Sequence, residues 1–499
     1  MNAAAVGISY APGLGAAQMS GRNPSRKKKP RASRGTEDRS PAATPAESWL
    51  DRYLVLLLFL ALISLTLLSA ETPLLVGLLG LALCVAGIAQ GPVKVDLWVL
   101  IPLITYQVLS LISFFLTFGS TQSDMVAGFA ATQAFYPVFY LLMAYLDEAD
   151  LLFLKRLCVL WAGGVAAAGL AYFAFRAVTG HAARLGFIFG NPNAFGIFLA
   201  VSWFVLRTCG PGPGELENPW PARLTRLEPL ILAALALTLS MGSFLSMAVG
   251  ILVLAVPELR RKPWREAFTF TCGLLARASI GIGIGVLAYI AARRTGLPWM
   301  CVPVLLLAAA AALLWDQVTD FLRDFPAACV LAAAAGVLVA AAAILVRPSA
   351  VDTFAERLAM MRNGLGYLTA KPLFGLGPYQ WYLYNLHDSD IFYNTYHIHN
   401  VILHIGVELG IPAMVMAVTV LVRRFLKKSA PGHVAGFAAY VAHNLMDTSF
   451  FYWGVTSMAL MTVAEPQKGG RKLPAAVPRL IFVMFGSLFA AYALWGRAG

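Results

Sequence analysis

Residues 53–70 read YLVLLLFLALISLTLLSA, a stretch without a single charge. As a helix it would reach about 27 Å, close to the thickness of a bilayer's hydrocarbon core. Working outward, similar apolar windows recur at 73–90, 97–117, 125–146, 157–178, 187–206, 228–242, 243–257, 268–292, 297–315 and 326–347, and again at 400–422, 432–446, 449–464 and 476–496. With 59% of the 499 residues apolar, a soluble domain could not hide this surface. The expected fold is therefore all-α: a polytopic integral membrane bundle of about 12–15 transmembrane helices. The alanine-rich runs at 307–313 and 331–343 fit close helix packing.

Residues 1–48 differ in kind. They are rich in Pro, Ser, Ala and Gly and carry the run Arg26, Lys27, Lys28, Lys29, Arg31 and Arg34, so they read as a disordered basic tail ahead of a membrane domain at 49–499. The first apolar stretch begins past residue 50 and is followed at once by others, unlike a cleaved signal. The net charge of +13 sits mainly in the tail and in short loops. That distribution points to orientation in a membrane and to membrane lipid, and away from nucleic acid. The six cysteines have no paired spacing and imply neither disulfides nor a metal site.

If the tail is cytoplasmic, Lys94, Lys155, Arg223, Arg260, Arg423 and Lys468 and their basic neighbours all fall inside, as the positive-inside rule requires. The same threading leaves three segments outside: 176–186, the turn around Ser240 to Ser243, and a long extracytoplasmic loop at 347–399. That loop holds Gly375, Gly377 and many aromatics, a composition richer than a linker needs. The expected location is the cytoplasmic (inner) membrane, with the active site on its outer face.

Outer loops are normally poor in cations, yet Arg184, Arg357, Arg362 and Lys371 lie there. Guanidinium forks suit phosphate oxygens, so these residues ask for an anionic partner; the plainer reading is surface arginines or pairs such as Arg357 with Glu356. A second constellation is 397–410, HIHNVILHIGVELG, in which His397, His399 and Asn400 precede a span containing His404 and Glu408. Imidazole is a suitable base near neutral pH. A metal bound with Asp388 or Asp390 is the weaker alternative, because no further ligand has a telling spacing. His404 and Glu408, like His443 and Asp447, are four apart and expected to share a helix face, either pairing to orient helices or lining a cavity. Arg277 falls in mid-span, which would suit a misplaced helix equally well.

Three pieces in order, Arg184 to Asn193 (RLGFIFGNPN), Arg357 followed by Lys371 to Gly377 (KPLFGLG), and His399-Asn400 followed by Glu408 and Gly410, resemble the O-antigen ligase and polymerase superfamily. The resemblance covers roughly 180–465, with His443 and Asp447 similar to its closing motif. It implies a membrane glycosyltransferase that takes glycan from a polyprenyl-pyrophosphate-linked donor and passes it to a glycan, lipid or protein acceptor, without a cofactor. By this resemblance Arg184, Arg357 and His399 are catalytic, the arginines on pyrophosphate and the histidine as base. Arg362, Lys371, His397, Asn400, Asn193 and Glu408 are expected to bind substrate. The family's short turn between two spans often reads Ser-Arg, where this chain has Ser240-Met241, so Arg362 is a candidate to replace the missing cation. A flippase for lipid-linked sugars is the main alternative, and a non-catalytic subunit of polysaccharide export the other.

Overall fold

The computed structural model describes residues 45–68, 72–117, 133–210, 220–346, 350–388, 395–427, 429–465 and 470–495. The chain divides into a unit at Met1–Pro45, of which residues 1–44 lie outside the described residues, and a unit at Ala46–Gly499; the first described helix, Pro45–Leu67, begins inside the segment 1–48 expected as a tail. Among the described residues the second unit is helical apart from its connecting turns and one antiparallel pair of short strands, Val93–Val95 with Arg471–Leu473.

Six of the described helices are long and apolar enough to cross a membrane: Leu97–Leu116, Glu148–Val178, Met241–Arg261, Trp264–Arg294, Val401–Leu426 and Ala476–Leu494. A seventh span is possible if the pair Pro298–Leu313 and Trp315–Asp324, bent by 76°, is counted as one. Five shorter apolar helices accompany them, at Arg52–Leu67, Pro73–Ile88, Pro192–Leu206, Pro326–Val339 and Trp453–Val463. The protein is a multi-pass membrane protein. The window expected at 125–146 is seen only as Phe135–Met143, since 118–132 lie outside the described residues. Several other expected spans are shorter in fact than their apolar windows, because their ends unwind around a polar cluster described below. Glu228–Leu237, for example, has ten residues and reaches only about 15 Å.

Close packing of small residues sets the helix neighbours. Pro73–Ile88 lies along the C-terminal helix with Gly80 against the ring of Phe489 and Gly87 against Phe482. Trp264–Arg294 packs on Pro326–Val346 at Ser279 and Gly336, so the alanine-rich run does serve helix contact. Arg277 belongs to this helix, half-buried in its middle, and the helix is where the apolar window placed it. Leu97–Thr117 accompanies Val401–Leu426, and Met241–Arg261 accompanies Pro431–Asn444.

One buried and one half-buried carboxylate away from the long loop are both paired. Glu228 takes hydrogen bonds from the indoles of Trp203 (2.8 Å) and Trp315 (3.1 Å) and pairs with Arg207. Glu465 receives His433 Nδ1 at 3.0 Å and the Ser429 hydroxyl at 2.8 Å, with Lys155 Nζ 2.9 Å from the other nitrogen of His433. Ionic groups at such depth are tolerated when they satisfy one another.

The helix at Val401–Leu426 is broken at Gly410, whose φ of 86° and ψ of 169° only glycine adopts readily. The segment after Lys371 fills the break. Leu376 and Gly377 donate their amides to the carbonyls of Val407 (2.8 Å) and Glu408 (2.9 Å), and Ile411 donates to Pro372 O at 2.8 Å. Non-helical backbone at membrane depth is stable only where such partners meet it. A Cβ on Gly410 would stand 2.1 Å from Leu373 O, and one on Gly375 would stand 2.3 Å from the Glu408 carbonyl carbon, so the approach needs glycine on both sides. The long loop is thus a built structure: helices Ala350–Ala370 and Gln380–Asp388 close over a small apolar cluster of Met360, Leu368, Leu376, Trp381, Ile398 and Val407.

Candidate active site

The site begins at a strap. Residues 184–193 cross the end of Glu228–Leu237, whose last carbonyls have no partner within their own helix. Leu185 N donates to Leu237 O at 3.0 Å and Arg184 Nε to Thr238 O at 2.9 Å. The strap turns through Phe187 (φ 40°) and Gly190 (φ 63°), and Leu239 (φ 46°) turns the chain beneath it. Two non-glycine residues held at positive φ around one arginine mark a place where surrounding structure imposes the backbone. Asn191 then caps the next helix, its side chain accepting from Asn193 N (2.8 Å) and Ala194 N (3.3 Å), with Pro192 in the first turn.

Arg184 turns its other nitrogen, Nη2, to Asn193 Oδ1 at 2.8 Å. The amide of Asn193 faces the opposite way and donates to Asp447 Oδ2 at 2.8 Å. Arg357 Nη2 donates to the same oxygen at 3.1 Å, while Asp447 Oδ1 accepts from Thr448 N at 2.8 Å and stands 3.8 Å from His399 Nδ1. One carboxylate, with its side chain only 4% exposed, therefore pairs with the Arg357 guanidinium, lies beside the His399 imidazole and is linked through the Asn193 amide to Arg184. Burial pushes its pKa up, but His443, His399, Arg357 and the Thr448 amide outweigh that, and the net direction is down. Asp447 is a carboxylate at neutral pH.

Burial is also the main influence on His399, lowering its pKa; Arg357 and His404 act the same way and Asp447 opposes them. The ring is accordingly neutral near pH 7. His399 Nδ1 and Arg357 Nε are buried with no hydrogen-bond partner. Two guanidinium groups, one carboxylate and a neutral imidazole leave the cluster with a net positive charge, suited to an anion. The neutral ring beside it can take a proton.

Not every expected substrate contact takes that place. Asn193 is occupied between Arg184 and Asp447. Asn400 caps the Val401–Leu426 helix, accepting from Leu403 N at 3.0 Å, and donates to Leu445 O at 3.2 Å, which ties the histidine segment to the turn bearing Asp447. His397 lies flat on Phe451 at 4.1 Å, its pKa well below the ordinary value through burial and the neighbouring His404 and His399. Glu408 is buried beneath the loop. Arg362 and Lys371 are exposed, Lys371 resting 5.7 Å from the Tyr384 ring, and among the described residues no ion pair links either to Asp447. At the turn lacking the family's arginine, Ser240 caps the next helix and Met241 is half-buried. Asp388 ends its helix, and Asp390 lies outside the described residues.

Asp447 is the residue whose role the sequence concealed. His443 and Asp447 were expected on one helix face, but Pro431–Asn444 ends first and Asp447 lies in the turn that follows. His443 Nδ1 instead meets Ser449 Oγ at 3.0 Å. The available signal was the polar run Asp447-Thr448-Ser449 interrupting an apolar stretch.

Residues 230–418 match the O-antigen ligase family model. The match makes this segment similar to an O-antigen ligase domain and supports the O-antigen ligase and polymerase superfamily. No curated protein matches the chain. The matched segment contains Arg357 and His399. Arg184, Asn193 and Asp447 lie outside it, on the strap, on the helix that the strap leads into and in the turn after Asn444.

Proposed function

We propose that this protein is a membrane glycosyltransferase that takes glycan from a polyprenyl-pyrophosphate carrier on the outer face of the cytoplasmic membrane and transfers or polymerises it. The observation that carries the reading is the meeting of Arg357 and His399 at Asp447, with Arg184 joined to the same carboxylate through Asn193. The family match supports glycosyl transfer of the ligase or polymerase type. The cationic cluster supports a pyrophosphate-bearing donor, and the excess of basic residues in the opposite loops supports the outer face.

In the proposed reaction the acceptor hydroxyl oxygen bonds to the anomeric carbon as the bond from that carbon to the phosphate oxygen breaks. The polyprenyl pyrophosphate leaves with the electron pair, and the hydroxyl proton goes to His399. A pyrophosphate leaving group needs little protonation, so charge stabilisation by Arg184 and Arg357 takes the place of a strong acid. Asp447 holds Arg357 directly and Arg184 by way of Asn193, and offsets the positive charge that builds on the imidazole.

Purified protein in liposomes, given a labelled polyprenyl-pyrophosphate oligosaccharide, tests this. Longer glycan on the carrier means a polymerase, and transfer only when a second acceptor is added means a ligase. Vesicle crossing without bond formation would overturn the reading in favour of a flippase.

A further inference from the structure

Two buried ionisable side chains next to the site have no part in the reaction as proposed. His404 and Glu408 are 1% and 3% exposed, on the segment of helix between the histidine loop and the break at Gly410. His404 Nδ1 accepts a hydrogen bond from the Ile398 amide at 3.3 Å. A ring nitrogen that accepts a backbone N–H holds a lone pair, so the proton of the neutral ring is on Nε2. That nitrogen lies 3.3 Å from Glu408 Oε2 and 3.2 Å from His397 Nδ1, both placed to accept from it. The other carboxylate oxygen of Glu408 accepts from Trp381 N at 3.4 Å, and its backbone carbonyl receives Gly377 N at 2.9 Å. One imidazole and one carboxylate thereby tie the loop after Lys371, the histidine segment and the helix to each other.

We infer that His404, oriented by Glu408, is a positioning residue for His399. In its neutral form it pins the amide of Ile398, the residue immediately before the proposed base. The inference rests on the reading of His399 given above. The ionisable groups beside this ring are Glu408 on its own helix and His397 and His399 from the loop. The apolar edges are closed by Trp381 at 6.3 Å and Phe451 at 5.2 Å between ring centres.

The test uses full-length protein in liposomes with the labelled donor, comparing kcat and donor KM of wild type, His404→Gln and His404→Leu, together with amide hydrogen exchange at Ile398. Leucine offers neither the acceptor nor the donor. It should lower kcat by at least about tenfold with little change in donor KM, and speed exchange at Ile398, because displacement of a catalytic group by a fraction of an ångström is costly. The glutamine amide keeps an acceptor for Ile398 and a donor for Glu408, so it should restore kcat to within about threefold of wild type. Equal loss in the two variants or unchanged Ile398 exchange in His404→Leu would each overturn the inference. Failure of the underlying reading looks different: His399→Gln would then keep wild-type turnover while exchange at Ile398 still responds to His404→Leu.

Discussion

Asp447 and Arg357 stand ninety positions apart in the chain and meet in an ion pair of 3.1 Å, with side chains 4% and 15% exposed. Replacing the carboxylate by an amide leaves Arg357 as a buried cation without its counter-charge, and takes from His399 the charge that would steady its protonated form. Asp447→Asn should reduce transfer by about 100-fold or more. It should also lower stability by about 3 kcal/mol, the usual cost of removing one partner of a buried pair. Turnover in liposomes and thermal unfolding in detergent check the two effects, and a fully active variant would remove Asp447 from the site.

Arg184 binds in two directions, with Nε on Thr238 O and Nη2 on Asn193. Arg184→Ala and Arg357→Ala should each lower turnover by about two orders of magnitude while leaving membrane insertion intact. Arg184→Lys should not recover activity, since a lysine is a point charge and lacks the planar fork. Wild-type rates in both alanine variants would sink the assignment.

The sign of the pH dependence follows from His399. Its pKa is lowered, so the ring stays neutral and competent as a base to a pH below the usual histidine value of about 6.5. Transfer rates should therefore fall only on the acid side of that value. Because the unfolded chain binds this proton more readily, His399 favours folding fully above about pH 6.5, and that contribution fades as pH falls toward its folded pKa. His399→Gln should abolish transfer and make stability less sensitive to acid over that window. A rate profile centred above pH 6.5 would contradict the assignment.

Gly410 has no tolerated substitute on geometric grounds. A Cβ would sit 2.1 Å from Leu373 O at a φ of 86°. Gly410→Ala should cost about 1–3 kcal/mol from backbone strain alone, and release the loop from the broken helix. Faster proteolysis between 371 and 379 and loss of transfer are the readouts. An alanine variant with normal turnover and cleavage would show that the loop docks by other means.

The helical membrane fold was legible because bilayer thickness imposes a length on every apolar run, and runs such as 97–117 and 476–496 meet it without help from neighbours. Span ends were less legible. The 432–446 window continues through Leu445 and Met446, yet the helix stops at Asn444, because the turn beyond it is held by Asn400 and Asn193 from elsewhere in the chain. Arg184, Arg357 and His399 could be chosen by type and loop position, while Asn193, Asn400 and Glu408 could be chosen but not given their contacts.

By itself, the sequence determined that this chain lives in a membrane, which segments cross it or nearly do, and which cations and histidines gather in its loops. These are properties of local composition set against the solvent. Only the tertiary structure decided that Asp447 is the point where the strap, the long loop and the histidine segment meet, and that Arg362 and Lys371 stay apart from it. It also decided that Glu408 is turned under the loop toward His404. A hydrogen bond depends on a separation of about 3 Å between atoms, and the folded path of the chain alone sets that separation for residues as far apart as Arg357 and Asp447, or Asn193 and Asp447.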